Sequence, residues 1–260
     1  YQFARGDIVH ATNGMPAQLS RPLDFLVVAD HAYNLGVMPE LISGSGVLLE
    51  TTLGKSLVHD FEQYLITKNK ATYDKIQGAL LSEKVFGEDI SRSIWHQIAI
   101  KSDKYNDPGV FTTFSGYEWT SWGTPNNFGN LHRVVIYKDN ADKVRQVIPL
   151  SSLDSSNPED LWHSLEHYVQ KTGGDVIAIP HNGNLSSGDM FSQFDFNGNP
   201  LSFSYAKMRS RWEPLYEVTQ IKGDSETHPI LSPTDEFSDY ETWNGWSGKS
   251  MKNIKTEDWV

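Results

Sequence analysis

Three residues of types that bind metal ions lie just beyond the ends of predicted β-strands. His31 follows the segment DFLVVAD, Glu118 follows VFTTFSG, and His181 follows DVIAIP. Imidazole nitrogens and carboxylate oxygens are common ligands of divalent zinc, manganese and iron. In α/β folds, functional groups collect at the carboxyl ends of parallel strands. The sequence therefore predicts that these three side chains lie at one rim of a sheet.

His31 and Glu118 also have ordinary structural interpretations. His31 could be a hydrogen-bonded loop histidine, and Glu118 could be a loop glutamate. However, Glu118 lies between Tyr117 and Trp119, where a carboxylate is poorly solvated unless it is paired or bound to a cation. His132 begins the predicted strand HRVVIY, and on spacing alone it could be a surface histidine at a strand edge. We therefore consider His132 a metal ligand only if Glu118 and His181 form a site beside it.

A charged segment, EVTQIKGDSETHP, is a candidate for contacting substrate, although it could equally be a solvated surface turn. Its candidate residues are Glu217, Lys222, Asp224 and Glu226. A lysine ammonium is a natural point-charge contact for a phosphate or sulfate group, which favours Lys222. Asn182, in the tight turn predicted from PHNGN, is a further candidate for contacting substrate.

The elements that would position these residues alternate between β and α patterns. A helical pattern from about 55 to 105 predicts an insertion of two or three helices, and Asn157-Pro158-Glu159 is a typical helix start that Gly173-Gly174 would terminate. Strands are predicted at 24–30, 110–116, 131–137, 175–180 and 215–220. This alternation favours a parallel sheet or barrel in a single α/β domain over residues 1–260.

The composition argues against several classes of function. The 260 residues carry a formal net charge of −11, which argues against non-specific binding to nucleic acid or to an anionic membrane. The absence of cysteine excludes disulfides, zinc fingers, iron–sulfur clusters and thiol catalysis. No apolar run approaches the roughly 18–20 residues of a membrane span. Phosphate-loop, dinucleotide-binding and Gly-x-Ser-x-Gly motifs are also missing from the sequence.

Five segments in chain order resemble the DUF3604 family, which is related to the PHP (polymerase and histidinol phosphatase) metallohydrolases. They are RPLDFLVVADHAYNLG, FSGYEWTS, NLHRVVIYKD, IPHNGNLS and YEVTQIKGDSETHP. The resemblance implies a distorted (β/α)7 barrel that holds two or three zinc, manganese or iron ions at the carboxyl ends of its strands. It makes Glu118 and Asp30 catalytic, the first as a bridging carboxylate and the second as a support for His31. The implied metal ligands are His31, Glu118, His132 and His181.

The resemblance also implies ligands that this sequence does not contain. A His-x-His pair would lie before Tyr1, and an Asp-x-His motif would lie after Val260. We therefore expect a central fragment of a longer protein, with a barrel that is incomplete at both ends and with activity that the fragment alone could lack. Relatives in the family often look exported, so the resemblance further implies a periplasmic or secreted location.

The expected activity is metal-dependent hydrolysis of phosphoesters or related anionic esters, sulfates included. Metal ions would lower the pKa of a bound water and so supply the nucleophile. One alternative is a non-catalytic binding or scaffold domain with the same fold. Another is a carbohydrate-active hydrolase that uses two carboxylates, with Glu118 and Glu217 as the candidates. Metal content and the effect of chelation distinguish these three functions.

Overall fold

The structure is a computed structural model that describes residues 1–44, 46–124 and 127–242. Its strands are β1 (Val9–His10), β2 (Pro16–Ala17), β3 (Phe25–Val28), β4 (Thr112–Trp119), β5 (Gly123–Thr124), β6 (Asn127–Phe128), β7 (Arg133–Tyr137), β8 (Val176–Pro180), β9 (Thr219–Gln220) and β10 (Gly223–Asp224). Its α-helices are α1 (Val37–Ser43), α2 (Thr52–Thr67), α3 (Lys70–Ser82), α4 (Glu88–Tyr105), α5 (Ala141–Val144), α6 (Pro158–Thr172) and α7 (Phe203–Trp212).

The main sheet is four-stranded and mixed. Its order is β3-β4-β7-β8, with β3 parallel to β4, and with β7 antiparallel to both β4 and β8. The other strands form three two-stranded sheets: β1 with β2, β5 with β6, and β9 with β10. The four strands predicted between 24 and 180 are therefore confirmed, and they belong to one sheet.

The predicted seven-stranded barrel, incomplete at both ends, is wrong for the described part of the chain, where no closed barrel is found. A parallel barrel needs a crossover, usually a helix, between successive strands. The described part of the connection from β4 to β7 contains the small β5–β6 sheet and no helix, and β7 returns antiparallel to β4. The strand predicted at 215–220 is also shorter than expected, because only Thr219 and Gln220 pair, and they pair with β10 outside the main sheet.

The helices begin and end where their capping residues indicate. The predicted helical stretch from 55 to 105 is confirmed as α2, α3 and α4. The side chain of Asn157 accepts a hydrogen bond from the backbone N–H of Glu159 at the start of α6, and Gly173 ends this helix in the left-handed region at φ 62°. Among the described residues, no helix combines the length and the apolar character needed to cross a membrane.

Two clusters of buried apolar side chains stabilise the fold. The larger one packs α4, α6 and the end of α7 against the main sheet, and it includes the fully buried Trp95, Trp119 and Trp162. The smaller one joins α1, α2 and α3. Helix α4 contributes to both clusters, because Trp95 packs in the first while its neighbour Ile94 packs against the second. Burial of each large side chain contributes about 1.5–3 kcal/mol.

A buried ion pair fixes the start of β7 against the helices. Nε of Arg133 donates to Oε1 of Glu213 at 2.9 Å, and both side chains are 2% exposed. Arg209 donates to the other carboxylate oxygen at 3.0 Å, and the Trp162 indole N–H donates to Oε1 at 2.8 Å. Burial by itself raises the pKa of the Glu213 carboxyl, but the two guanidinium groups outweigh burial and hold its pKa below the usual range.

We predict that Glu213→Gln lowers the free energy of unfolding at neutral pH by about 3 kcal/mol, because it leaves the buried Arg133 without its counter-charge. Because folding lowers the pKa of Glu213, the ionised carboxylate stabilises the folded protein at pH values above the carboxyl's ordinary pKa of 4.5. This stabilisation is lost as the pH falls through the lower pKa of the folded state. The difference between the variant and the wild type should therefore shrink in acid. Urea unfolding at neutral and acidic pH measures both effects.

The matched control is Glu88→Gln, which removes the exposed ion pair with Arg92 on α4. This variant should change the stability by no more than about 0.5 kcal/mol. Equal losses of stability in the two variants would contradict the interpretation of the buried pair.

Candidate metal centre

The mixed sheet brings the four predicted ligands, His31, Glu118, His132 and His181, to one rim. The carboxyl ends of the parallel strands β3 and β4 lie together, and β8 is parallel to β4, so its carboxyl end lies there too. Because β7 runs the other way, the residue that precedes it, His132, lies at this same rim. The backbone N–H of His181 donates to the carbonyl of His132 at 3.4 Å. The antiparallel direction of β7 is inconsistent with the predicted barrel, and it also places His132 beside the other candidate ligands.

The side chains of Glu118, His132 and His181 form the centre of this rim. Each offers one ligand atom, and these atoms lie within 4.8 Å of one another. Oε1 of Glu118 is 2.8 Å from Nδ1 of His132 and 3.4 Å from Nε2 of His181. Metal–ligand bonds of about 2.0–2.1 Å hold neighbouring ligand atoms at roughly these separations.

These ligand atoms do not satisfy one another by hydrogen bonding. Both ring nitrogens of His132 and Nδ1 of His181 are buried, and none of them forms a hydrogen bond with the described residues. The contact between His132 and Glu118 is thus short without having hydrogen-bond geometry. Buried polar atoms without a hydrogen-bond partner are rare, because each costs roughly 1–3 kcal/mol. A cation bound between the three side chains would take the Glu118 carboxylate, the unpartnered Nδ1 of His132 and Nε2 of His181, so the residues present fit a metal ion.

The electrostatics of the cluster favour the protonation states that bind metals. Burial opposes ionisation of the Glu118 carboxyl, but the adjacent His132 and His181 rings outweigh burial and hold its pKa well below the usual range. Burial lowers the pKa of His132 to about 4, although the Glu118 carboxylate acts in the opposite direction. At neutral pH the cluster therefore presents a carboxylate and a neutral His132 imidazole, which are the metal-binding forms.

His31 lies at the outer edge of this cluster. It pairs with Glu118 as an isolated parallel β-bridge, and its Nδ1 is 3.5 Å from Oε1 of Glu118. Its side chain is 46% exposed, in contrast with the buried His132 and His181 rings. Asp30, the other residue predicted here, is exposed, and its carbonyl accepts a hydrogen bond from the backbone N–H of Glu118 at 2.8 Å.

Thr120 is a site residue that the sequence analysis missed. Its hydroxyl is hydrogen-bonded to Nδ1 of His31, and it donates to Oε1 of Glu118 at 3.4 Å. The threonine therefore links the exposed histidine to the half-buried carboxylate. A threonine just beyond a strand matches no sequence motif. Its contacts with His31 and Glu118 follow from the pairing of β3 with β4, which the sequence does not show.

The predicted substrate-binding residue Asn182 lies directly beside the cluster along the chain. It is 1% exposed and has a left-handed backbone with φ 59°, a conformation that asparagine tolerates better than most residues. Both polar atoms of its side-chain amide are buried, without a hydrogen-bond partner among the described residues. Such an amide can donate to and accept from a ligand that reaches this rim.

The other predicted substrate residues lie on a segment that is tied to the loop after β8. The backbone N–H of Glu217 donates to the carbonyl of Pro180 at 3.1 Å, and the Asn184 side chain donates to the carbonyl of Lys222 at 3.0 Å. The Asp224 carboxylate accepts from the backbone N–H groups of Glu226 and Thr227, and so closes a turn. The half-buried Lys222 and the exposed Glu226 stay predictions as substrate contacts.

The loops that carry two of the ligands are packed closely together. The backbone N–H of Asn130 donates to the carbonyl of Leu185 at 2.9 Å, so the approach to His132 is held against the turn after His181. At Gly129 a β-carbon would lie 1.8 Å from the carbonyl oxygen of Ser186, so only glycine permits this approach. The local backbone thus fixes the distance between the two histidines.

The fold and this cluster define a mixed α/β protein with a candidate metal centre of two histidines and one glutamate. Residues 1–259 match the family described as protein of unknown function (DUF3604), so the chain belongs to the DUF3604 family. No curated protein and no solved structure matches the chain. The resemblance inferred from the five sequence segments is therefore confirmed for DUF3604, whereas no match bears on the PHP superfamily.

We predict that the protein, stripped of metal with a chelator, binds zinc or manganese and that His132→Ala weakens this binding at least about 100-fold. Loss of a ligand should exceed the 10- to 100-fold cost of changing a supporting residue. His31→Ala should cost less, because His31 lies at the exposed edge. Isothermal titration calorimetry measures the affinities. His163→Ala, on the exposed face of α6, is the matched control and should bind metal like the wild type.

Proposed function

We propose that this protein is a metal-dependent hydrolase of phosphate esters or related anionic esters, sulfate esters included. The observation that carries the proposal is the buried cluster of Glu118, His132 and His181, whose ligand atoms converge without hydrogen-bonding one another. The relation of the family to the PHP metallohydrolases, with zinc, manganese or iron as the metal, is part of the same proposal. The DUF3604 membership is compatible with this function and does not specify it.

Three protein ligands suit catalysis better than a purely structural role. Structural zinc sites are almost always closed by four protein ligands, whereas catalytic sites keep a position for water or substrate. A metal ion in such a site lowers the pKa of bound water and polarises the ester oxygen. The cluster supplies three candidate ligands for one ion. His31, close to Glu118, is a candidate ligand for a second ion, and Glu118 would then bridge the two ions.

The side chains around the cluster have separate tasks in this proposal. Glu118 holds the ion as an anionic ligand, and Thr120 fixes the orientation of its carboxylate. Asn182 contacts an ester oxygen through its unpartnered amide, and Lys222, whose carbonyl is bound by the Asn184 side chain, is the candidate to neutralise the anion. The net charge of −11 does not oppose binding of an anion, because the metal ion provides the local positive charge.

The experiment that tests the function is hydrolysis of small phosphate and sulfate esters by the chain loaded with zinc, manganese or iron. We expect hydrolysis that chelation abolishes and the metal restores. Glu118→Gln should lower kcat at least about 100-fold, since it removes the charged ligand of the ion. Glu166→Gln, on the exposed face of α6, is the matched control and should retain activity.

The alternatives give different results in the same experiment. A metal-loaded protein that hydrolyses neither class of ester would contradict the proposal and favour a binding or scaffold domain. Glycoside hydrolysis that survives chelation and needs both Glu118 and Glu217 would indicate the two-carboxylate enzyme instead.

A second prediction concerns Asn182. Asn182→Gly retains the left-handed backbone and removes the amide, so we expect kcat/KM to fall about tenfold, which corresponds to roughly 1.4 kcal/mol of lost hydrogen bonding. The free energy of unfolding should change little, because the amide has no hydrogen-bond partner to lose among the described residues. A large loss of stability with unchanged kinetics would instead assign Asn182 a structural role.

A further inference from the structure

A cleft of about 660 Å³ lies beside the metal centre, between the end of β3 and the helices α1, α3 and α4. Its walls are mostly apolar and aromatic, and they include Tyr33, Met38, Ile94 and Ile98. Apolar cavities of roughly 300–1,000 Å³ that contain a few polar groups are typical binding sites for small molecules. The proposed hydrolysis assigns no role to this cleft.

His31 connects the cleft to the metal centre. It lines the cleft, and its Nδ1 is 3.5 Å from Oε1 of Glu118. The His31 ring is stacked on the Tyr33 ring, with the centroids 5.1 Å apart and an angle of 26° between the planes. The wall of the cleft nearest to Glu118 is therefore aromatic, and a ligand bound there is separated from the metal centre by a single side chain.

We infer that this cleft binds the alcohol part of the ester substrate, and that this part contains an aromatic ring or fused rings; the inference rests on the proposed hydrolase function. The anionic group would lie at Glu118, His132 and His181, while the ring lies against Tyr33. In hydrolysis, water forms a bond to the phosphorus or sulfur atom, and the bond from that atom to the oxygen of the ring alcohol breaks. The leaving oxygen gains the proton that the water loses, and the neutral ring alcohol remains in the cleft.

The dimensions and the chemistry of the cleft favour a ring over a short aliphatic group. Flat aromatic ligands gain from offset stacking and edge contacts with aromatic side chains, beyond the area that they bury. Tyr1 and Tyr33 supply such rings, and the half-buried Ile94 and Ile98 supply apolar surface. A methyl or ethyl ester would leave most of the volume unfilled.

Glu40 indicates that the ring carries a hydrogen-bond donor. It lines the cleft, and its Oε2 is buried with no hydrogen-bond partner among the described residues. A buried carboxylate oxygen without a donor is costly. A hydroxyl or amine group on the bound ring would satisfy it.

The first test measures binding of 2-naphthol to the metal-loaded full chain by isothermal titration calorimetry. Gln97→Trp and Met38→Trp each place an indole in the cleft from an exposed lining position, and each should weaken binding about tenfold or more. Ile100→Trp is the matched control, because Ile100 is also exposed on α4 but does not line the cleft. Thermal unfolding verifies that all three variants are folded.

The second test compares the hydrolysis of 2-naphthyl phosphate and methyl phosphate. Gln97→Trp should lower kcat/KM for the naphthyl ester about tenfold and should leave that for the methyl ester within about twofold, because only the naphthyl group reaches the cleft. Metal content, measured by elemental analysis, should be unchanged.

A third variant tests the hydrogen-bond donor. Glu40→Met should weaken the binding of 2,7-dihydroxynaphthalene more than that of 2-naphthol, because only the diol offers a hydroxyl group beyond the one that would form the ester. Equal losses for the two compounds would overturn the assignment of Glu40.

The outcomes separate the cleft from the hydrolase function. If naphthol fails to bind, or binds the cleft variants and the control alike, the assignment of the cleft is overturned while ester hydrolysis can stand. If naphthol binding follows the variants but neither ester is hydrolysed, the cleft is supported as a ring-binding site and the hydrolase proposal fails. Naphthyl-specific loss of hydrolysis supports both.

Discussion

The antiparallel pairing of β7 with β4 is the constraint on which the rest of the structure depends. It sets Val134 opposite Glu118 and Arg133 opposite Trp119. One step earlier along the chain, His132 reaches the Glu118 carboxylate. A shift of one residue in this register would turn every side chain of β7 to the other face of the sheet. The candidate metal centre and the buried core are therefore specified by the same row of backbone hydrogen bonds.

Two carboxylates near the start of β7, the fully buried Glu213 and the half-buried Glu118, have different partners. Glu213 forms ion pairs with the guanidinium groups of Arg133 and Arg209. Glu118 is surrounded by His132 and His181 instead, and burial favours the neutral form of His132. The first arrangement is complete within the protein. The arrangement around Glu118 leaves a negative charge that a bound cation would balance, and this is the physical basis of the proposed metal centre.

The sequence predicted the local elements, and the residues that meet at the rim of the sheet, better than the architecture. Strand patterns ended at His31, Glu118 and His181 because a carboxyl end is a local feature, and Asn157 and Gly173 marked the ends of α6 in the same way. The direction of β7 depends on which strand it pairs with, which no local pattern contains, so the predicted parallel barrel was wrong. Thr120 and the cleft beside His31 were not predicted for the same reason, since both arise from contacts between segments distant in sequence.

The order of the ligands along the chain has a consequence for how the centre assembles. Glu118 and His132 belong to neighbouring strands joined by a short connection, whereas His181 follows β8, which comes after two further helices. Closing the longer loop costs more chain entropy and delays the contacts that depend on it. The β4–β7 pair can therefore form early and hold two ligands, and the third arrives only when β8 docks. If the centre binds an ion as proposed, high affinity for it would be a property of the finished fold and not of a partly folded chain.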